Sequence, residues 1–543
     1  MVLLLLSSVL ILSVLSGWGK ILESISGFFF NGISGVILTG IVGLSLMWTV
    51  LAFFIPINIY VEIPFISVGV FYFFKKKLYL EFYRFSKKDS ILIGCISLGI
   101  LYSSSFYPYI LDHFGYYVPT VKWLTEYGLV KGISNLDLTL GQMSVWHIFQ
   151  AGFSGFSDPF LRINAILLIV YVLYIFERKN WIQLCFIPVL LLFSQSPSPD
   201  LPVITLSLII LNEIITGNKN TGLLFTFAVF IFSIKPTMIW LPLLVFLCSV
   251  FIFKPNYKNL IPGVAILLLF FIKNLWTFGY PVFPIAVGDL GFGWRPNSEV
   301  LKISSQYAVQ KTYDMQYTYE EIQKFSGYEA VKNWLSLEGI KSGINILFII
   351  SLIVFSVFTF IKKKRIISLI CLSLLIKSLL VLSFSAQYRF FIDVFFVIFF
   401  ILFTHINKKK SLFFFTVLSV LIIGVLSFPG LIRDYIPSFR PGNFMTGFKK
   451  EQLYKPSSYR YNQFEPAQIG NLKFNISKDY PFNFDTPVPA ISQGYILDDI
   501  QSEIFPQQID AKNIKKGFIW KKLTPLEKRE AEDIMNNIKN TDK

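Results

Sequence analysis

Long apolar runs recur along most of the chain, each broken from the next by a short polar interruption. As helices rising 1.5 Å per residue, such runs are long enough to cross a hydrocarbon core of ~30 Å. The pattern predicts helices at 2–18, 33–54, 56–74, 91–107, 160–176, 181–195, 201–216, 222–234, 237–253, 260–277, 342–361, 366–384, 390–406 and 411–428. Only Ser-Ile-Lys-Pro separates 222–234 from 237–253, and fusing the two into one broken helix would invert the parity of everything after it. The expectation is therefore an all-α polytopic membrane protein of about 13 to 14 transmembrane helices.

The interruptions are of two kinds. Short basic turns carry Lys75, Lys76, Lys77, Arg84, Lys87 and Lys88, then Arg178 and Lys179, Lys219, Lys254 and Lys258, Lys362 to Arg365, and Lys408 to Lys410. The positive-inside rule makes these cytoplasmic. On the other side fall residues 108–159, the turns 196–200, 234–236 and 386–389, residues 278–341, and everything from 429. The expected placement is a cytoplasmic (inner) membrane protein with an outside N-terminus. The membrane domain would be 1–428, and 429–543 a small extracytoplasmic α+β domain. Within the first long loop, Tyr117, Val121 and Leu124 suit a short helix in the interface plane. Leu138–Phe153, broken by Gly141, Gln142 and His147, suits an interfacial or re-entrant one. In the tail, alternation near Gly517–Lys522 predicts a strand and Pro525–Lys539 a polar helix.

Composition narrows the class further. Of 543 residues, 54% are hydrophobic and 17% aromatic, which excludes an ordinary soluble domain. The net charge of +16 is concentrated in the basic turns, so it is topological and does not point to nucleic acid. Cys95, Cys185, Cys248 and Cys371 all lie in apolar runs, where packing is their default role. Val2–Leu15 lacks the basic start and cleavage site of a signal peptide and is expected to stay as a helix. Asn475-Ile-Ser477 fits a glycosylation acceptor.

Candidate chemistry is confined to the loop-bearing side. Asp112, at the exit of a span in Tyr-Ile-Leu-Asp-His-Phe-Gly, reads equally as a desolvated base or metal ligand and as a helix cap. Asp200, in Ser-Pro-Ser-Pro-Asp-Leu-Pro, reads first as a cap or turn residue and second as a carboxylate of a site. Lys235, Lys273, Arg295 and Arg389 oppose the topology rule, singly as snorkelling side chains and together as an anion clamp. His113 and His147 are candidates to orient or ligate, against the commoner reading of buried, hydrogen-bonded histidines. No HExxH, GxSxG, Walker or Rossmann pattern stands at a credible place.

These residues, in this order, resemble the GT-C superfamily of integral-membrane glycosyltransferases. The likeness rests on Asp112 in the first long loop, Lys273-Asn274 followed by Gly279-Tyr-Pro-Val-Phe-Pro284, and the late Tyr388-Arg389-Phe390. Ser-Pro-Ser-Pro-Asp and Tyr116-Tyr117-Val-Pro-Thr-Val-Lys-Trp123 look more narrowly like a group of bacterial multi-pass proteins placed near it. The resemblance spans most of 90–400 and implies a GT-C-like fold. It also implies transfer of a sugar from a polyprenyl-phosphate-type carrier to a glycan, lipid or protein acceptor outside the cytoplasmic membrane. Asp112, with Asp200 as second carboxylate, would act as catalytic base; Lys235, Lys273, Asn274, Arg295, Arg389, Tyr116, Tyr117, His113 and His147 would line the substrate site. A divalent metal on the loop carboxylate is left open. Tyr117 stands where related sequences often show His, and His113 breaks the tandem acidic pair, which counts against the metal-dependent version. The competing readings are a lipid-linked sugar transporter or flippase, and a polysaccharide polymerase or ligase.

Overall fold

Every apolar run read from the sequence is helical in the computed structural model, which describes residues 1–27, 30–253, 257–430, 447–458, 463–478 and 482–541. Peptide groups in hydrocarbon find no water to bond, so these runs take the one local form that satisfies them internally. Among the described residues seven helices are long and apolar enough to cross a bilayer: Val2–Ser26, Ile33–Ala52, Pro236–Phe253, Tyr257–Thr277, Ile340–Lys362, Arg365–Phe384 and Lys408–Ser427. The chain is a multi-pass membrane protein. Most other predicted spans are shorter helices, such as Ile163–Arg178, Asp200–Ile215 and Tyr388–Leu402, while Lys87–Ser104 has 18 residues but opens on three charges. Ile163 through Phe176 is buried on every side, as a helix at the centre of a bundle must be. Trp181–Phe193 winds irregularly, in 3₁₀ and α turns around Pro188.

The parity question is settled by packing. A Cβ on Gly222 would lie 2.6 Å from the Asn259 carbonyl, one on Gly263 would lie 2.4 Å from the Phe225 ring, and Phe232 meets Phe270 at 5.1 Å. Thr221–Ile234 and Tyr257–Thr277 are therefore parallel neighbours along their whole length. Pro236–Phe253, which joins them, must run the other way, so Lys235-Pro236 is a reversal.

Small residues let the first helices touch backbone to backbone, the packing membrane helices use in place of a hydrophobic drive. A Cβ on Gly17 would sit 1.9 Å from the Gly69 carbonyl oxygen, and one on Gly40 2.1 Å from that of Leu15. Gly17→Val is expected to lower stability by about 1–3 kcal/mol through overpacking. Thermal unfolding in detergent should show this loss beside an unchanged Gly94→Val control, since nothing lies within 4 Å of a Cβ at Gly94.

The segments assigned to one side by sequence do meet at one end of the bundle. Ser144 Oγ donates to the Ile234 carbonyl at 2.8 Å, Asn164 Nδ2 to that of Ser196 at 2.7 Å, and Trp334 Nε1 to that of Ala386 at 3.0 Å. At the opposite end lie basic turns: Lys408 pairs with Asp89 and covers the Trp181 ring at 4.8 Å, and Arg178 pairs with Glu213 at 2.9 Å. Lys254 lies outside the described residues.

The first long loop differs from its expected form. Val118–Glu126 is a helix, but its apolar residues Val121 and Leu124 are buried in protein and Lys122 donates to the Asp485 carbonyl of the tail at 2.6 Å. Val145–Ala151 is wholly buried, with Phe149 and Phe153 packed on Trp48 of Ile33–Ala52.

The tail forms two antiparallel hairpins, β1 (Phe464–Ile469) with β2 (Leu472–Ser477) and β3 (Ile504–Gln508) with β4 (Phe518–Lys522), plus helices Gln493–Gln501 and Pro525–Thr541. The strand and polar helix expected near its end are β4 and Pro525–Thr541. Residues 431–446 of the proposed tail lie outside the described residues. Phe518 N–H donates to the Lys131 carbonyl at 2.9 Å, and Trp520 Nε1 to that of Arg295 at 3.1 Å, tying β4 to both long loops. Gly517 has φ 103 and a Cβ there would stand 2.2 Å from the Lys131 carbonyl, so the position requires glycine on both counts. Asn475 donates its amide to the Pro487 carbonyl at 2.8 Å and Ser477 is buried, so the glycosylation triplet is structural.

Burial pushes three carboxyls up where the tail meets the first loop: Asp137 to about 7, Asp498 to about 6, and Asp499 well above the usual range. A raised acid makes no demand on docking below its free value near ~3.9 and opposes docking increasingly as pH rises through its docked value. Tail docking is thus expected to weaken between about pH 4 and 7. Limited proteolysis should release the tail faster at pH 8 than at pH 5, and Asp499→Asn should flatten that difference.

Candidate functional site

At the loop-bearing end, a cavity of about 650 Å³ opens between the irregular segment Trp181–Phe193 and the helix Ile340–Lys362. Its walls are apolar: Ile110, Leu192, Phe193, Ile344, Leu347, Ile392 and Phe395. Val189, Ile340 and Leu347, at its edge, are exposed at 36–51%, so the cavity opens on the outer surface of the bundle. Polar groups are few and gathered: Asp112, Asp200, Arg389 and the phenols of Tyr109, Tyr117 and Tyr388. Such a cavity fits an amphipathic ligand with one polar end.

Four elements deliver those groups. Asp112 leads into a wide helical turn, His113–Tyr117, that continues as Val118–Glu126. Asp200 opens Asp200–Ile215, Lys235 is the reversal residue, and Arg389 is in the first turn of Tyr388–Leu402. Arg389 Nη1 meets Asp112 Oδ2 at 2.7 Å, with both side chains about a third exposed. Lys235, 7% exposed, pairs with Asp200, also 7%, and donates to the Arg389 carbonyl at 3.1 Å. Ser198 Oγ donates to Asp200 Oδ2 at 3.3 Å. Charge is balanced pair by pair, and the Nε of Arg389 is left without a protein partner among the described residues.

Asp112, Asp200, Tyr117 and Arg389 therefore line one cavity, with Lys235 immediately behind. Tyr116 stands behind Tyr117 at 4.6 Å, and His147 packs on Tyr117 at 4.9 Å. His113 is buried edge-on to Phe114 at 4.9 Å. Burial drives the His147 imidazole down to about 3 and that of His113 well below its ordinary value, so both are neutral packing partners and not cations for an anion.

Three of the expected substrate-site residues, two of them cations of the clamp, are elsewhere. Lys273, fully buried, donates to the carbonyls of Gln142 and Met143 at 2.7 and 3.0 Å, closing the turn before Val145–Ala151. Asn274 Nδ2 donates to the Pro281 carbonyl at 2.8 Å and so shapes the Gly-Tyr-Pro-Val-Phe-Pro bend. Arg295 pairs with Asp289 at 2.6 Å in the second long loop, both exposed by more than 40%. These are loop-holding contacts, and the cation facing the cavity among the described residues is Arg389. Asp112 and Asp200 are each paired with a cation, and among the described residues no group of three His, Cys, Asp or Glu is placed to hold a metal ion.

Sequence reading missed a third ion pair. Lys377, 1% exposed, binds Asp393, 4% exposed, and Trp240 Nε1 donates to Asp393 Oδ2 at 3.0 Å. The signal was there: two opposite charges inside apolar runs, which in a membrane need an explanation by default.

A family model described as a domain of unknown function, DUF8201, matches residues 1–396, and the chain belongs to that family. The match ends just beyond Phe395, so it contains every residue lining the cavity and none of the tail. No curated protein and no solved structure matches the chain.

Proposed function

We propose that this member of the family is a GT-C-like membrane glycosyltransferase, moving a sugar from a polyprenyl-phosphate-type lipid to a glycan, lipid or protein acceptor on the extracytoplasmic side of the cytoplasmic membrane. The observation that carries this reading is the cavity: apolar walls open on the bundle surface, ending in two carboxylates and one guanidinium. Prenyl units suit the Ile344, Leu347 and Phe395 walls, and a lipid phosphate suits the guanidinium of Arg389. A phosphate leaving group in a low-dielectric site gains most from such a fixed cation. Asp112, beside that cation, is the base for the acceptor hydroxyl or amide, and Asp200, held by Lys235, is the second carboxylate.

The test is transfer of labelled sugar from a polyprenyl-phosphate donor by the purified chain in liposomes. Gly343 lines the cavity and has open space where a Cβ would be, so Gly343→Trp is expected to fill it. That variant should insert normally, lose binding of a prenyl phosphate, and transfer nothing. Wild-type binding by Gly343→Trp would remove the cavity from the function.

A further inference from the structure

One turn below Arg389 on the same helix stands a group of side chains that the proposed chemistry leaves unused. Asp393 has both carboxylate oxygens committed, Oδ1 to Lys377 of Arg365–Phe384 and Oδ2 to Trp240 of Pro236–Phe253. Residues i and i+4 share one face of a helix, so Arg389 and Asp393 rise from the same stripe of Tyr388–Leu402. The backbone that carries Trp240 begins at Lys235, whose ammonium donates to the Arg389 carbonyl at 3.1 Å. Pro236–Phe253 and the residue before it therefore grip Tyr388–Leu402 twice within one turn, at the Arg389 carbonyl and at the Asp393 carboxylate.

We infer that Lys377, Trp240 and Asp393 form a mount that fixes the height and rotation of this helix so that Arg389 presents its guanidinium to the phosphate end of the cavity ligand, Asp393 being a positioning residue. The inference rests on the reading of Arg389 as the phosphate-binding group. Energetics favour a positional role over a stabilising one. Two charges exposed by 1% and 4% are heavily desolvated, and replacing such a pair by apolar side chains is often neutral or stabilising. A contact that adds little stability but has fixed geometry in two directions specifies register. The mount bears chiefly on the headgroup end, because Tyr388–Leu402 adds only Ile392 and Phe395 to the apolar walls and the rest come mainly from Ile340–Lys362 and Trp181–Phe193.

The experiment compares farnesyl phosphate with farnesol, which share the apolar chain and differ in the phosphate, using purified protein in detergent. The readout is the ratio of their dissociation constants. Wild type should favour the phosphate. The double variant Lys377→Met/Asp393→Leu removes both charges together, so it should fold with a melting temperature near wild type, bind farnesol within about twofold of wild type and lose about tenfold in phosphate preference. Trp240→Phe, which keeps both charges and deletes one hydrogen bond, should lose about threefold. An unchanged preference in both variants would overturn the mount and leave Arg389 in place. A wild type with no preference for the phosphate would overturn the reading of Arg389, and the mount with it.

Discussion

Lys235→Met is expected to lower stability by about 3–5 kcal/mol, the usual consequence of removing one partner from a buried ion pair. Asp200 is 7% exposed and would be left with the Ser198 hydroxyl and the more distant charge of Arg389 as its support, while the Arg389 carbonyl would lose its Lys235 donor. An isolated carboxylate in so apolar a setting either unfolds its surroundings or takes up a proton. The second outcome distinguishes this pair from a packing defect, because the loss should shrink as pH falls and Asp200 protonates in the variant. Lys235→Met/Asp200→Asn should recover most of the stability, since no charge is then stranded. Thermal unfolding in detergent, followed by circular dichroism at pH 5 and pH 8, measures all three proteins. Equal melting temperatures for wild type and Lys235→Met would show that the pair is not buried in solution.

How much of this was legible beforehand depends on what each residue's neighbours in sequence could say. Apolar runs and basic turns announce helices and ends directly, because hydrocarbon leaves a backbone no alternative to helix. Asp112 and Arg389 were legible for a related reason: each is a charge at the end of a span. Their pairing was not, since 112 and 389 are joined only by the fold. Lys273 and Arg295 looked equivalent to Arg389 and are not. What decides Lys273 is the positive φ of 28° at Met143, a bend whose neighbouring carbonyls need a donor from another helix. Arg295 is decided by Asp289, six residues away in the same loop. Lys377 and Asp393 carry the opposite lesson. Their charges were visible inside apolar runs, and a rule that looked only at span ends passed over them. The helix Val118–Glu126 was legible as amphipathic, but amphipathicity says only that one face must be covered, and here protein covers it, with Val121 and Leu124 buried.

Asp112→Asn should reduce sugar transfer by about 10²–10⁴-fold, the contribution expected of a positioned general base, with membrane insertion unchanged. The same substitution should strengthen binding of a prenyl phosphate. Asp112 Oδ2 holds Arg389 Nη1 at 2.7 Å, so an incoming phosphate competes with a carboxylate for the guanidinium and meets its like charge. Neutralising that competitor is worth up to about 1 kcal/mol at a partly exposed pair, or about fivefold in affinity. The two effects have opposite signs, and that opposition identifies the role. A residue that simply shaped the cavity would weaken both, and a carboxylate that held the headgroup through a cation would lose affinity when amidated. Isothermal titration with farnesyl phosphate, beside a transfer assay on the same preparation, reads both signs. Transfer at the wild-type rate would remove Asp112 as the base, whereas weakened phosphate binding would show that it supports the headgroup and does not compete with it. The expected pair of results also orders the reaction: phosphate on Arg389 releases Asp112, so the base is unpaired only when the donor is in place.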